Sequence, residues 1–137
     1  MEKIIVDGKD AIVGRLGSFA AKELLKGRSV VIINSEDALI SGNKKVIFDK
    51  VKALRAKGGT SRKGPQMPAL SDRMLKRMIR GMLPWDRQKG KDAYRRLKCF
   101  IGNGDLKVED LKNVKNMGHV LPKKFVRIKQ IVSELKG

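Results

Sequence analysis

Arg73, Lys76, Arg77 and Arg80 stand at i, i+3, i+4 and i+7, so a helix through them gathers four cations on one face. Such a face suits phosphate, because an arginine forks onto two oxygens and a lysine acts as a point charge. A merely solvated basic face would show the same spacing. The surroundings favour phosphate: between residues 55 and 98, 14 Lys and Arg stand against 3 Asp and Glu. Arg55, Arg62 and Lys63 lie in or beside a glycine-rich stretch, and Arg87, Lys89, Lys91, Arg95 and Arg96 extend the same surface. Arg15 opens a different helix, where unpaired N–H groups attract anions. Trp85 and Tyr94 are candidates to stack on unpaired bases, with packing of the Trp85 ring on a sheet edge as the alternative.

Little else in the chain could do chemistry. The carboxylates are scattered, His119 is the single histidine and has no recognisable partner, and no nucleophile–base pair can be found. A lone Cys99 excludes an internal disulfide and a cysteine zinc site, and no metal site is expected. Gly14-Arg15-Leu16-Gly17-Ser18 faintly resembles a nucleotide-binding turn, yet it is neither Gly-x-Gly-x-x-Gly nor a P-loop. Ser41-Gly42-Asn43-Lys44-Lys45 does not supply one either. A nucleotide-dependent enzyme is therefore disfavoured. The formal charge of +18 on 137 residues repels itself and calls for a polyanionic partner, with nucleic acid the leading class. At 41% apolar content the chain can still bury a core, as one domain over residues 1–137. No apolar run reaches membrane-spanning length and no apolar leader opens the chain, which reads as a soluble intracellular protein without a membrane or small-molecule partner.

The elements that must position these cations are legible in part. Ile4-Ile5-Val6 reads as a buried strand, and Leu16, Phe19, Ala20 and Leu24 share a helical face ended by Gly27. Val30-Val31-Ile32-Ile33 suits a strand buried on both faces, so the first part of the chain is a βαβ unit with a parallel pair. Ser41 or Gly42 opens a second helix carrying Ile47, Val51 and Leu54 inward, with Phe48 beside them. Residues 57–69 form an aperiodic basic loop. The basic helix then runs from about 72 to 82, with Ser71 as N-cap, Leu70 and Leu75 as a hydrophobic staple, and Pro84 stopping it. Its apolar stripe is Leu70, Met74, Leu75, Met78, Ile79 and Met82; Met82 and Leu83 are assigned to the core. Gly81 serves either helix–sheet packing or close approach of RNA. Residues 91–96 form a brief helix, and residues 97–101 a third strand on which Cys99 is a small buried hydrophobe. Phe125 to Ile128 reads as a fourth strand, followed by a helical face of Ile128, Ile131, Val132 and Leu135. Residues 106–124 resist assignment beyond a helical turn over 108–114.

One resemblance is specific. Ile79-Arg80-Gly81-Met82-Leu83-Pro84, then Gly90-Lys91, then Leu97-Lys98-Cys99-Phe100 and Gly102 resembles the signature of the L-thirteen family of large-ribosomal-subunit proteins. Gly14-Arg15-Leu16-Gly17-Ser18 is similar to the family's Gly-Arg-Leu-Ala-Ser, Ile32-Ile33-Asn34-Ser35-Glu36 to its strand ending in Asn-Ala-Glu, and Ser41-Gly42-Asn43-Lys44 to its Thr-Gly-x-Lys. Bacterial members usually carry a His-Pro-His-type stretch where Asn103-Gly104-Asp105 stands, and Arg62-Lys63-Gly64-Pro65 looks closer to archaeal members. The resemblance implies a three-layer α/β/α fold around a four-stranded, mostly parallel sheet, with the basic loop and helix inserted. It implies binding and assembly of large-subunit rRNA beside neighbouring ribosomal proteins in the cytoplasm, without catalysis and without a cofactor. A free RNA-binding assembly or remodelling factor on the same core is the alternative.

Overall fold

The computed structural model describes residues 3–56, 70–102, 115–116 and 121–136. Strand β1 (Lys3–Asp7), helix α1 (Val13–Leu25) and strand β2 (Ser29–Ile33) form the expected βαβ unit, with β1 and β2 parallel from Lys3↔Ser29 to Asp7↔Ile33. The link from α1 to β2 is set by Gly27, which adopts φ +94°, a left-handed value that is costly for side chains with a Cβ. Its N–H donates to Leu24 O and that of Arg28 to Glu23 O, the paired bonds of a Schellman ending.

Strand β4 (Leu97–Cys99) pairs parallel with β2, and β5 (Lys115–Asn116) pairs parallel with β1, giving the order β4-β2-β1-β5. Pleating sends Val6, Val30 and Ile32 to one face, where they join Leu16, Ala20 and Leu24 of α1 in the main core. Helices α2 (Lys44–Ala56), α3 (Ser71–Arg80), α4 (Gln88–Arg95) and α5 (Ile128–Lys136) bury residues in that same core. Ile5, Val31 and Ile33 point the other way and cluster with Phe100. The fold is thus α/β with five described helices and a parallel main sheet.

Several expectations are corrected. Phe125 to Ile128 does not join the parallel sheet: strand β6 (Phe125–Arg127) runs antiparallel to β3 (Leu39–Ser41) in a separate two-stranded sheet, while Ile128 begins α5. Burial explains this. A strand inside a parallel sheet needs both faces apolar, whereas here only Val126 is fully buried between half-buried Phe125 and Arg127. Strand β3 is only three residues long and offers no periodicity to read. Ser41 ends β3 instead of opening α2; Asn43 caps that helix, its Oδ1 accepting from the Lys45 N–H at 2.9 Å. Ser71 is the buried first residue of α3 and not its cap, and Leu70 ahead of it is exposed, so the staple is absent. Met82 is exposed while Leu83 is buried. The helix expected over 91–96 begins earlier, at Gln88. The loop over 57–69, the turn over 108–114, His119, and the side chains of Leu54 and Leu135 lie outside the described residues.

Candidate nucleic-acid interface

Helix α3 is fixed from beneath by Met74, Leu75 and Ile79, none of which has measurable exposure. That anchorage turns Arg73 fully outward and leaves Lys76, Arg77 and Arg80 half-buried at the flank. The flank is made by the segment that follows. After Pro84 the chain turns, with the Trp85 N–H donating to Leu83 O and the Arg87 N–H to Pro84 O, and α4 returns across it. The return is tight. A Cβ on Gly90 would overlap the carbonyl group of Pro84, so only glycine permits this crossing.

The crossing places Tyr94 beside Trp85, ring centroids 5.2 Å apart and planes at 87°. Lys76 Nζ lies 4.8 Å over the Tyr94 ring, and the Arg80 guanidinium lies 4.0 Å over Trp85. The two readings of Trp85 and Tyr94 are thereby narrowed: both half-buried rings are engaged inside the chain by each other and by α3 cations. Burial pushes the Tyr94 phenol above its usual value, with the Arg80 and Arg77 charges pulling it back.

Asp72, in the first turn of α3, accepts from the Arg73 backbone N–H at 2.9 Å, and the carboxylates that form ion pairs do so away from this helix. Asp10 pairs with Arg127 at 2.7 Å, Asp37 with Lys129 at 3.0 Å and Glu134 with Lys52 at 2.9 Å. Glu23, nearly buried, binds Arg28, whose hydrogen bond holds its carboxyl below the usual range; Lys26 stands 3.5 Å away. Among the described residues no carboxylate forms an ion pair with Arg73, Lys76, Arg77 or Arg80.

The remaining expected residues divide. Arg87, Lys89 and Lys91 are exposed on and ahead of α4, as is Arg95, which reaches Asp92 at only 3.7 Å. Arg15 is exposed in the first turn of α1, a helix start without a capping side chain. Helix α1 adjoins α3 where the end of Met82 lies over Gly17. Arg96 is different: its guanidinium donates to Leu24 O and Arg28 O, tying down the end of α1. Arg62, Lys63 and the Arg55 side chain lie outside the described residues. Gly81 has an ordinary φ of −65° and is exposed, and a Cβ there would meet only Met78 O at 3.5 Å. Packing within the described chain therefore gives no reason for a glycine at that position.

Sequence reasoning passed over a second basic feature. Lys44, Lys123 and Lys124 line a cleft of about 340 Å³ with Gly42, Asn43 and Phe125. The signal was present in Ser41-Gly42-Asn43-Lys44 and the Lys123-Lys124 pair, but only the β3–β6 pairing brings them together. Among the described residues, no three His, Cys, Asp or Glu side chains form a metal-holding group, and no helix is long and apolar enough to cross a membrane.

These features define a class: a basic α/β domain with a cationic helix, its four cations outside any ion pair among the described residues, laid on its core. Within that class the chain belongs to the ribosomal protein L13 family, whose model matches residues 1–105. Large ribosomal subunit protein uL13 of Archaeoglobus fulgidus is 44% identical over 98 residues, covering 72% of this chain and 62% of that protein. The uL13 proteins of Methanococcoides burtonii and Methanocaldococcus jannaschii are 47% and 40% identical, each match covering 72% of this chain and 70% and 74% of the relative. The match thus spans less than two thirds of the Archaeoglobus protein's length. The chain is an archaeal-type member, and proteins of this family are structural ribosome components, not enzymes.

Proposed function

We propose that this protein is a structural constituent of the large ribosomal subunit that binds large-subunit rRNA and helps it assemble, in the cytoplasm and beside other ribosomal proteins. The observation that carries this reading is the α3 face, whose four cations have no carboxylate partner among the described residues. Uncompensated arginine and lysine on a rigid helix bind a phosphate backbone with little reorganisation. Arg73, Lys76, Arg77 and Arg80 form the centre of the footprint. Arg87, Lys89, Lys91 and Arg95 flank it with Trp85 packed under Arg80, Arg15 joins it across α1, and Arg55, Arg62 and Lys63 extend it through the glycine-rich basic segment. Arg96 supports the surface by holding the end of α1. The same reading includes a three-layer α/β/α fold. Its support is the near-complete burial of Ile5, Val31 and Ile33 on the face away from α1.

The test is binding of the full chain to deproteinised large-subunit rRNA across a salt series. Replacing Arg73 and Arg77 with Ala should flatten the log–log salt slope by roughly 0.7–0.9 for each phosphate no longer neutralised, while leaving the melting transition in place. An unchanged slope would remove α3 from the footprint. Native protein that sediments free of large subunits at moderate salt would favour the alternative, an RNA-binding assembly or remodelling factor.

A further inference from the structure

We propose that Trp85 and Tyr94 are positioning residues that hold Arg80 and Lys76 as a preformed clamp for RNA phosphates, and that they do not themselves stack on bases. This deepens the rRNA-binding reading and rests on it. The four side chains form one ladder, Lys76 over Tyr94, Tyr94 against Trp85, and Arg80 over Trp85. An aromatic face differs from a carboxylate in what it does to a cation. A carboxylate would fix the side chain and cancel its charge, whereas a ring attracts through its quadrupole and leaves the positive charge available. A guanidinium lying 4.0 Å over a ring keeps its N–H fork free for phosphate oxygens. Free Arg and Lys side chains sample many rotamers. Here that freedom is restricted before RNA arrives, which is how preorganisation raises affinity.

The ladder is built by a tight local crossing of the chain. Lys76 and Arg80 are one helical turn apart on α3, while Trp85 follows Pro84 and Tyr94 lies on α4. The close crossing of Gly90 over Pro84 brings the two rings together beneath the cations.

The experiment is a double-mutant cycle on the full chain, with deproteinised large-subunit rRNA as the probe. Trp85→Ala should weaken binding about fivefold and Trp85→Phe, which keeps a ring face, by less than about twofold. With Arg80→Ala already present, adding Trp85→Ala should cost less than about twofold, because the group it positions is gone. Equal costs in both backgrounds would mean that Trp85 touches RNA itself and would overturn the proposal, as would a Trp85→Phe variant as weak as Trp85→Ala. Trp85 is the single tryptophan, so wild-type emission gives a readout that holds even if Trp85→Ala misfolds. Positioning leaves that emission nearly unchanged on RNA addition, whereas base stacking quenches it strongly and sinks the idea. Failure of the wild type to bind rRNA would instead remove the functional reading on which the clamp depends.

Discussion

At the scale of single residues, burial decides which chemically capable groups stay silent. Cys99 sits on β4 beneath α3, half-buried where the sequence suggested a buried hydrophobe, and desolvation pushes its thiol from 9.0 to about 12, against the opposing pull of the Lys76 charge. The thiolate is the reactive form, so a thiol-alkylating reagent at pH 8 should label the folded protein far more slowly than the urea-unfolded chain. Labelling of the folded protein at the free-thiol rate would contradict this. Because the folded state resists ionisation, the unfolded chain releases this proton first as pH rises. The contribution to stability is therefore complete below about pH 9 and is lost on approaching 12, so the denaturation midpoint should fall across that window. Glu23 runs in the opposite direction. Its carboxyl is held low by Arg28, so its contribution is present above its ordinary value and lost in acid.

At the scale of elements, two glycines that look alike in sequence do different work. Gly90→Ala would drive a methyl into the Pro84 carbonyl, where neither backbone can yield cheaply. It should destabilise by about 2 kcal/mol or more in urea titrations and disrupt the Trp85–Tyr94 pair. Gly17 is crowded chiefly by the Sδ and Cε atoms of exposed Met82, which can swing aside. Gly17→Ala should therefore be neutral or stabilising by up to about 1 kcal/mol, the gain in helix propensity. Destabilisation by Gly17→Ala comparable to that by Gly90→Ala would show that Met82 is held more firmly than its exposure implies. The contrast was invisible in the sequence, because it depends on whether the opposing atom belongs to backbone or to a flexible side chain.

At the scale of the whole molecule, the charge of +18 is unevenly compensated. Ion pairs gather at α1, α2, α4, α5 and β6, and α3 is left without one among the described residues. Concentrated like charge opposes compactness, and a polyanion that binds the folded surface offsets it. Melting temperature should thus rise on adding a short single-stranded RNA at low salt, and the increment should shrink as salt is raised. A Tm indifferent to RNA at low salt would mean that the charge is already balanced by the fold.

The sequence by itself determined the βαβ opening, the helical phase of α3, the Gly27 ending of α1 and the family, because these depend on periodicity, local backbone freedom and short motifs. Periodicity placed Arg73, Lys76, Arg77 and Arg80 together correctly, since neighbours on one helix need no tertiary information. It could not place residues that meet across the fold. Arg96 looks like one more surface cation until the fold brings it to the end of α1, 68–72 positions back in sequence, where carbonyls accept its N–H groups. Phe125 looks like a strand of the main sheet until β3 pairs with it. The rings of Trp85 and Tyr94 acquire their role only where Gly90 crosses Pro84. Each of these outcomes is decided by which distant backbone lies within reach, and that is set by packing of the complete chain.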